Sequence, residues 1–406
     1  MKILLVSPQP FFRVRGTPIN IRNMLKALSE AGHEVDLVCY PFGENVEMEG
    51  LRIRRSPRFP GIRDVKVGPS VAKFPLDALM AFQVTGRILW GGYDVVHAVE
   101  ESAFFVAPVA RLKRIPYVVD MDSLISHQLA YSGFIRWRPL LRLVEAMERG
   151  VVKRAAKVIT VCQALTDAAA RLAPTASIVQ IEDAPQEESF VPDPEGAELL
   201  RTRFELGDRP CIVYTGNLEA YQGIPLLLEA MSLLREEFPE ALAVIVGGEE
   251  RHRRALMERV QALELNRQVI FTGPLPMERM PACMTLASVL VSPRVEGENT
   301  ALKLYGYMQT GKAIVATRLP THTQVLDEST AWLCDITAKS MAAALAEALK
   351  RDGEGRDGEG RDGEGRGAKA AALIESRYGQ ARFRKQVQGV YEALSEQKNA
   401  RNTSGR

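Results

Sequence analysis

Short apolar, β-branched runs alternate with longer amphipathic stretches, and this rhythm is completed twice along the chain. The first set opens with KILLV, then INIRNMLKALSEAG and HEVDLVCY, and continues through DVVHA at 94 to 98, PYVVDMD at 116 to 122, RPLLRLVEAMERGVVKRA and KVITVC at 157 to 162. Apolar residues at helical spacing between short continuous apolar runs predict helices alternating with buried strands, the pattern of a parallel α/β sheet covered on both faces. Gly32 stands where the first helix should stop. The second set runs from CIVYTGN at 211 to 217 through IPLLLEAMSLLREEFP, ALAVIVGG, RHRRALMERVQALEL, QVIFTG at 268 to 273, MERMPACMTLA, SVLVSP and ALKLYGYMQTG to AIVAT. A length of 406 residues with 46% hydrophobic content supports two cores rather than one. The expected division is an N-terminal Rossmann-like domain over 1–183, a polar Pro-, Glu- and Asp-rich linker over 184–209, and a second Rossmann-like domain over 210–380. RDGEG repeats three times from 351 to 365 and reads as a flexible, solvated insertion over 351–367; ESRYGQARFRKQVQGVYEAL ends the pattern as a terminal helix, with 381–406 packing back on the first domain.

Several function classes are excluded or disfavoured. A dinucleotide fold requires GxGxxG directly after its first strand, whereas SPQPFFRVRGTP follows KILLV and offers only Gly16; no GxxxxGK[ST] occurs either. Cys39, Cys162, Cys211, Cys283 and Cys334 lack the paired spacing of a zinc site or redox motif, which fits a reducing, cytoplasmic setting. A net charge of +2 and the absence of a nucleic-acid motif argue against a nucleic-acid partner. MKILLVSP is too short for a signal-peptide core, and no run reaches the length of a membrane span. In tandem doubly wound domains, ligands are expected at the carboxyl ends of the strands. ENTALKLYGYM places a loop ahead of a helix start, where backbone donors suit phosphate, so Asn299, Thr300 and Lys303 are candidate phosphate contacts.

Four segments in order, RGTPINIRNMLKALSEAGHEVDLV, VYTGNLEAYQGIPLLLEAM, VIFTGPLPMERMPACMTLASVLVSP and LKLYGYMQTGKAIVAT, resemble glycosyltransferase family 4, the group 1 glycosyltransferases of the GT-B architecture. The resemblance implies two Rossmann-like doubly wound domains facing each other across a cleft. It implies a retaining hexosyltransferase that moves a sugar from a nucleotide-diphosphate sugar to a glycan or lipid-linked acceptor, in cell-surface polysaccharide or glycolipid synthesis. No cofactor or metal is required; DMD at 120 to 122 looks like the metal-binding DxD of other glycosyltransferases, a match that is accidental in this architecture.

Carried onto this chain, the resemblance marks Gly16 and Thr17 as the first loop approaching donor phosphate and acceptor, and Gly216, Asn217 and Gln222 as the strand-end loop of the donor domain. It marks Gly273 and Leu275 as backbone contacts to the base, and Asn299, Thr300, Ala301, Leu302 and Lys303 as the phosphate loop. His97, Asp122 and Glu298 are the candidates for catalytic roles. Two positions that are usually Arg and Lys in the family are Asn217 and Gln222, and two that are usually Glu are Glu298 and Gly306; Asp122 stands where a His is common. The charge on the diphosphate is then expected from Lys303, Arg294 or Arg318. His322 lies in the loop that approaches the sugar in the family. Asp122 also reads as a turn former, His97 as a structural histidine and Glu296 as a surface residue.

Leu51 to Lys73 carries seven Lys or Arg against one acid, interleaved with apolar residues, and GFIRWRPLLRLVEAMERGVVKR adds Phe134, Trp137 and further arginines. Both suit contact with anionic membrane, at the inner face of the cytoplasmic membrane; both also read as solvated faces. Two alternatives to the transferase stay open: a non-catalytic sugar-nucleotide-binding or scaffolding protein that kept the fold, and an epimerase acting on a nucleotide sugar.

Overall fold

The computed structural model describes residues 1–12, 16–65, 68, 70–185, 189–297, 299–356 and 365–404. These form two compact units, Met1–Ala184 with Ala381–Arg406, and Pro185–Gln380. The first holds an all-parallel sheet of β1 (Lys2–Ser7), β2 (Glu34–Cys39), β3 (Leu51–Arg55), β4 (Val95–Val99), β5 (Tyr117–Met121), β6 (Lys157–Thr160) and β7 (Ile178–Gln180), in the order β3-β2-β1-β4-β5-β6-β7. The second holds β8 (Cys211–Thr215), β9 (Leu242–Val246), β10 (Val269–Gly273), β11 (Val289–Ser292), β12 (Ala313–Thr317) and β13 (Trp332–Cys334), in the order β10-β9-β8-β11-β12-β13, again parallel. Both are doubly wound. The strand order reverses between β1 and β4 and between β8 and β11, the switch points where such sheets bind ligands.

Local chemistry explains the elements. β1, β4, β8 and β9 are buried nearly throughout, as strands covered on both faces must be. The helix Gly16–Glu30 packs Ile21, Met24, Leu25 and Leu28 on the first sheet and ends as expected at Gly32, whose φ of +71° lets its amide reach back to the Ser29 carbonyl and that of His33 to Leu28. The C-terminal helix Gln380–Ser404 lays Phe383, Val387, Val390, Tyr391 and Leu394 against the same face.

Three expectations change. Leu51–Arg55, read from its charge as part of a membrane-facing stretch, is the edge strand β3: Arg52 pairs with Glu34 and Asp36, Arg54 with Asp36, and Arg55 donates to the carbonyls of Phe11, Phe42 and Glu44. The linker 184–209 contains the helix Pro194–Arg203, because Asp193 caps it through the Gly196 amide, Pro194 suits its first turn, and Ala197 and Leu200 are buried. Helices enter the span 351–367 from both sides. The helix Ala338–Arg356 propagates through the first pentapeptide, since extending a nucleated helix is easier than starting one; the helix Arg366–Leu373 already includes Gly367, pressed against the Gly311 carbonyl. Residues 357–364 of the repeat lie outside the described residues.

Candidate active site

In the second unit, three chain segments meet at the β8/β11 switch point. After β8 the chain passes Gly216, at φ +144°, where a Cβ would sit 3.0 Å from the Lys303 ammonium and from the Tyr214 hydroxyl. A short turn over Ala220–Gln222 follows. Gly223, at φ +72°, then starts the helix Ile224–Leu234 so close to the end of β11 that a Cβ would lie 1.9 Å from the Pro293 carbonyl oxygen. This close approach buries Gln222 beside Arg294 and Lys303. The Lys303 Nζ donates to Gln222 Oε1 at 3.1 Å and lies 3.7 Å above the Tyr214 ring. Arg294 Nε reaches the same amide oxygen at 3.5 Å, and its Nη1 donates to Thr321 Oγ1 at 2.8 Å and to the Asn299 carbonyl at 3.3 Å, with the guanidinium 5.3 Å from the Tyr221 ring.

Two cations thus share one neutral oxygen, and neither has a carboxylate partner among the described residues. Burial, and after it the Arg294 charge, holds the Lys303 ammonium well below the ordinary lysine range; burial also lowers Arg294. Keeping two uncompensated cations together is unfavourable, and an arriving anion relieves it. By sign alone, the arrangement favours an anion over a cation beside Gln222.

The expected site residues stand in different surroundings. Lys303 stands at the centre, and Gln222 aims both cations. Asn217 shapes the loop: its Oδ1 accepts from the Glu219 amide and its carbonyl accepts from the Tyr214 hydroxyl. Thr300 and Ala301 are buried, and the Ala301 amide is already committed to the Thr321 carbonyl, so it is not available to a phosphate. Leu302 precedes the helix Lys303–Gln309 and packs partly on the core. Gly273 closes β10, with its carbonyl taken by the Gly247 amide, and Leu275 packs against the same core. Glu298 lies outside the described residues. Arg318 pairs with Glu328 at 2.6 Å, so the charge at Gln222 comes from Lys303 and Arg294 alone among the three expected donors.

His322 is also not a sugar contact. It is fully buried, with Nδ1 donating to the Thr317 carbonyl at 2.7 Å and Nε2 accepting from Ser292 Oγ at 2.8 Å, the arrangement of a neutral ring. Burial pushes its pKa from 6.5 to about 3. A depressed folded pKa means that protons bind the unfolded chain first. Stability is therefore full above pH 6.5 and is lost as pH falls toward 3, by about 1.4 kcal/mol per unit. Thermal unfolding of His322→Gln should show a shallower acid slope than the native chain.

In the first unit, the carboxyl ends of β4 and β5 gather acids. Glu100, just past β4, sits at φ +48°, a strained backbone for a side-chain-bearing residue, with its amide on the Asp120 carbonyl and its carboxylate accepting from Gln9 Nε2 at 2.9 Å. Asp122 accepts from Thr17, which brings two expected site residues together; Gly16 begins the helix one residue earlier. Burial, then the charges of Glu100, Asp120 and Asp183, push the Asp122 carboxyl well above the usual carboxylate range. His97 is corrected to a buried support: fully enclosed, its Nδ1 lies 2.6 Å from the Tyr391 hydroxyl and its Nε2 3.1 Å from Asp120 Oδ2. Tyr391, almost three hundred residues away (|i−j| = 294), carried no sequence signal for this role. Asp183 and Arg294 were visible only as a domain end and one cation among several.

Known proteins share sequence and fold with this chain. Residues 15–182 match the glycosyl transferase 4-like domain and residues 198–359 match glycosyl transferases group 1. The chain is 28% identical over 308 residues to the 2-deoxystreptamine N-acetyl-D-glucosaminyltransferase of Streptomyces fradiae, covering 72% of each. It is 25% identical over 359 residues to the phosphatidyl-myo-inositol mannosyltransferase of Mycolicibacterium smegmatis, covering 87% of this chain and 86% of that one. Among solved structures, sucrose-phosphate synthase from Thermosynechococcus elongatus superposes with a TM-score of 0.77 at 19% identity, over 97% of this chain and 99% of that one. Anabaena HepE in complex with UDP-glucose superposes at 0.73 and 15% identity, over 97% and 100%. Two parallel Rossmann-like sheets with GT-B neighbours, and family matches over both halves, place the chain in the group 1 family of GT-B glycosyltransferases, with a 4-like N-terminal domain.

Proposed function

We propose that the chain transfers a hexose, with retention, from a nucleoside-diphosphate sugar held by the second unit to a hydroxyl of a glycan or lipid-linked acceptor held by the first. The observation that carries this reading is the pair Lys303 and Arg294, two cations without a carboxylate partner among the described residues, converging on Gln222 and Gly216 at a switch point. A diphosphate matches them in sign and can take hydrogen bonds from both. HepE is named with UDP-glucose and relatives are named for aminocyclitol and phosphatidylinositol acceptors, which supports the donor class and leaves the acceptor open between them.

In the proposed reaction the bond from the anomeric carbon to the diphosphate breaks, and the acceptor oxygen bonds to that carbon on the same face. The acceptor proton passes to an oxygen of the departing phosphate. Lys303 and Arg294 contribute by stabilising the charge that grows on the leaving group, which needs no separate base. The direct test is incubation with UDP-, GDP- and ADP-hexoses while following release of nucleoside diphosphate. Slow release from one donor is expected. No release, and no thermal shift with any nucleotide, would leave the chain a non-catalytic member of its family; a rearranged sugar without hydrolysis would make it an epimerase.

The cellular setting proposed is the cytoplasmic side of an anionic membrane, in polysaccharide or glycolipid synthesis. No described helix is long and apolar enough to cross a membrane. Trp137, Leu143 and Met147 are nonetheless exposed on and beside the helix Arg138–Arg154, among Arg138 and Arg142, and Phe74, also exposed, meets Phe134 at 6.2 Å. Apolar side chains to enter the headgroup layer, rimmed by arginine, support docking on acidic lipid. Cosedimentation with vesicles containing phosphatidylglycerol should exceed that with phosphatidylcholine alone and fall in high salt; Trp137→Ala with Leu143→Ala should reduce it about tenfold or more. Equal binding to both vesicles would refute docking.

A further inference from the structure

In the first unit, the helix Ile125–Tyr131 and the first two turns of the helix Arg138–Arg154 line an open groove of about 250 Å³. A single water needs only about 10 to 15 Å³, so the groove has room for a much larger group. Its longer wall follows from the sequence. Arg138, Leu141, Arg142 and Glu145 recur three and four residues apart, which puts them on one face of their helix, across the groove from Ser126 and His127. The two walls are tied together by Glu148, one turn past Glu145. Its buried carboxylate accepts from the amides of Ile125 at 2.7 Å and Ser126 at 3.3 Å, and from Ser126 Oγ at 2.5 Å.

The charges along this groove do not cancel. Its one acid among the described lining residues, Glu145, is already bonded to Arg149 at 2.8 Å. Arg138 and Arg142 are exposed, and among the described residues neither guanidinium has a hydrogen bond or an ion pair. One solvated arginine is unremarkable. Two of them on successive turns repel each other, and facing one concave space with an imidazole opposite they concentrate positive potential there. An anion between them relieves the repulsion. A carboxylate is planar and is filled by a single guanidinium fork, whereas a phosphate ester presents up to three outer oxygens and up to two charges, which suits two forks and a ring N–H arriving from different sides.

We propose that this groove binds a phosphate ester through Arg138, Arg142 and His127. The site lies wholly within the first unit and does not depend on the transferase reading. It is also separate from the apolar surface proposed to meet a membrane, because Leu143 and Met147 are turned to the other side of the same helix.

The experiment is titration calorimetry of the full chain with glucose 6-phosphate, glucuronate and glucose. Glucose 6-phosphate should bind about tenfold or more tightly than either of the others. Arg142→Gln should weaken it about tenfold, and Arg138→Gln with Arg142→Gln about a hundredfold or below detection. Both side chains are exposed, so the thermal midpoint should hold, which separates lost binding from lost folding. Glu145→Gln, which takes the acid out of the groove, should strengthen binding about threefold. Leu143→Ala with Met147→Ala should leave it unchanged. Vesicles of phosphatidylcholine with phosphatidic acid, added as a competitor, separate the sources of the ester: displacement of glucose 6-phosphate assigns the groove to a lipid phosphate, and none assigns it to a soluble one. Equal affinity for the ester and glucose, or for the ester and glucuronate, overturns the proposal. So does ester binding that survives loss of both arginines in the folded protein. An affinity lost in Lys303→Ala and kept in the arginine double variant would place the phosphate in the second unit and overturn it as well.

Discussion

Lys303→Ala should weaken nucleoside diphosphate binding about 10- to 150-fold, the equivalent of about 1.5 to 3 kcal/mol for a lost charge-assisted hydrogen bond. Lys303→Ala combined with Arg294→Ala should bring binding below detection. The folded state should survive the single change, since it removes a cation whose pKa burial and Arg294 already depress. Gln222→Glu is the sharper control. It places a carboxylate where one amide oxygen now receives both cations. That carboxylate competes with the ligand, so thermal stability should rise while diphosphate affinity falls. An affinity unchanged in Lys303→Ala, measured by calorimetry with UDP, GDP and ADP, would mean that the phosphates bind elsewhere.

Gly223→Ala should unfold or severely destabilise the second unit, by about 3 kcal/mol or more. Two causes add: a left-handed backbone at φ +72°, and a Cβ that would stand 1.9 Å from the Pro293 carbonyl oxygen, a backbone atom that cannot swing aside. Gly32→Ala separates them. It has nearly the same φ, +71°, with no atom within 4 Å of its Cβ, so only the conformational cost of about 1 kcal/mol remains. Equal losses at the two positions would show that the approach of Gly223 to β11 is not what holds Gln222 in place. Urea unfolding of the two variants measures the difference.

Much of the fold was legible because parallel strands buried on both faces leave continuous apolar runs. KILLV, DVVHA, CIVYT, ALAVIV and AIVAT read directly as strands. The misses share a cause. β3 alternates Leu51 and Ile53 with arginines that pair with Glu34 and Asp36 on its neighbour, so its charge looked like a surface; β7 and β13, at three residues each, are too short to show a period. The helix Pro194–Arg203 was hidden by the very residues, Asp193 and Pro194, that start it.

The site was less legible than the fold, because distance in sequence does not report distance in space. Lys303 was singled out from its loop, but that Gln222 collects it together with Arg294 depends on Gly223 meeting Pro293, a contact no local pattern announces. Asn217 and Gln222 looked like lost cations. Two other segments bring Lys303 and Arg294 to Gln222 instead, so the altered positions still have cations beside them. His322 and His97 looked like substrate contacts because histidine at a strand end or loop often is one; both have two ring partners and no solvent access, which only the packing reveals. Asp122 and Thr17 stand far apart in sequence and meet in space.

Lys303 and Arg294, without a carboxylate partner among the described residues, are the proposed seat of the donor diphosphate. A crystal structure of the chain with bound nucleoside diphosphate tests it most directly. Phosphate oxygens are expected within hydrogen-bond reach of Lys303 Nζ and the Arg294 guanidinium, beside Gly216, with Gln222 still touching at least one cation. A diphosphate seated away from both side chains would contradict it.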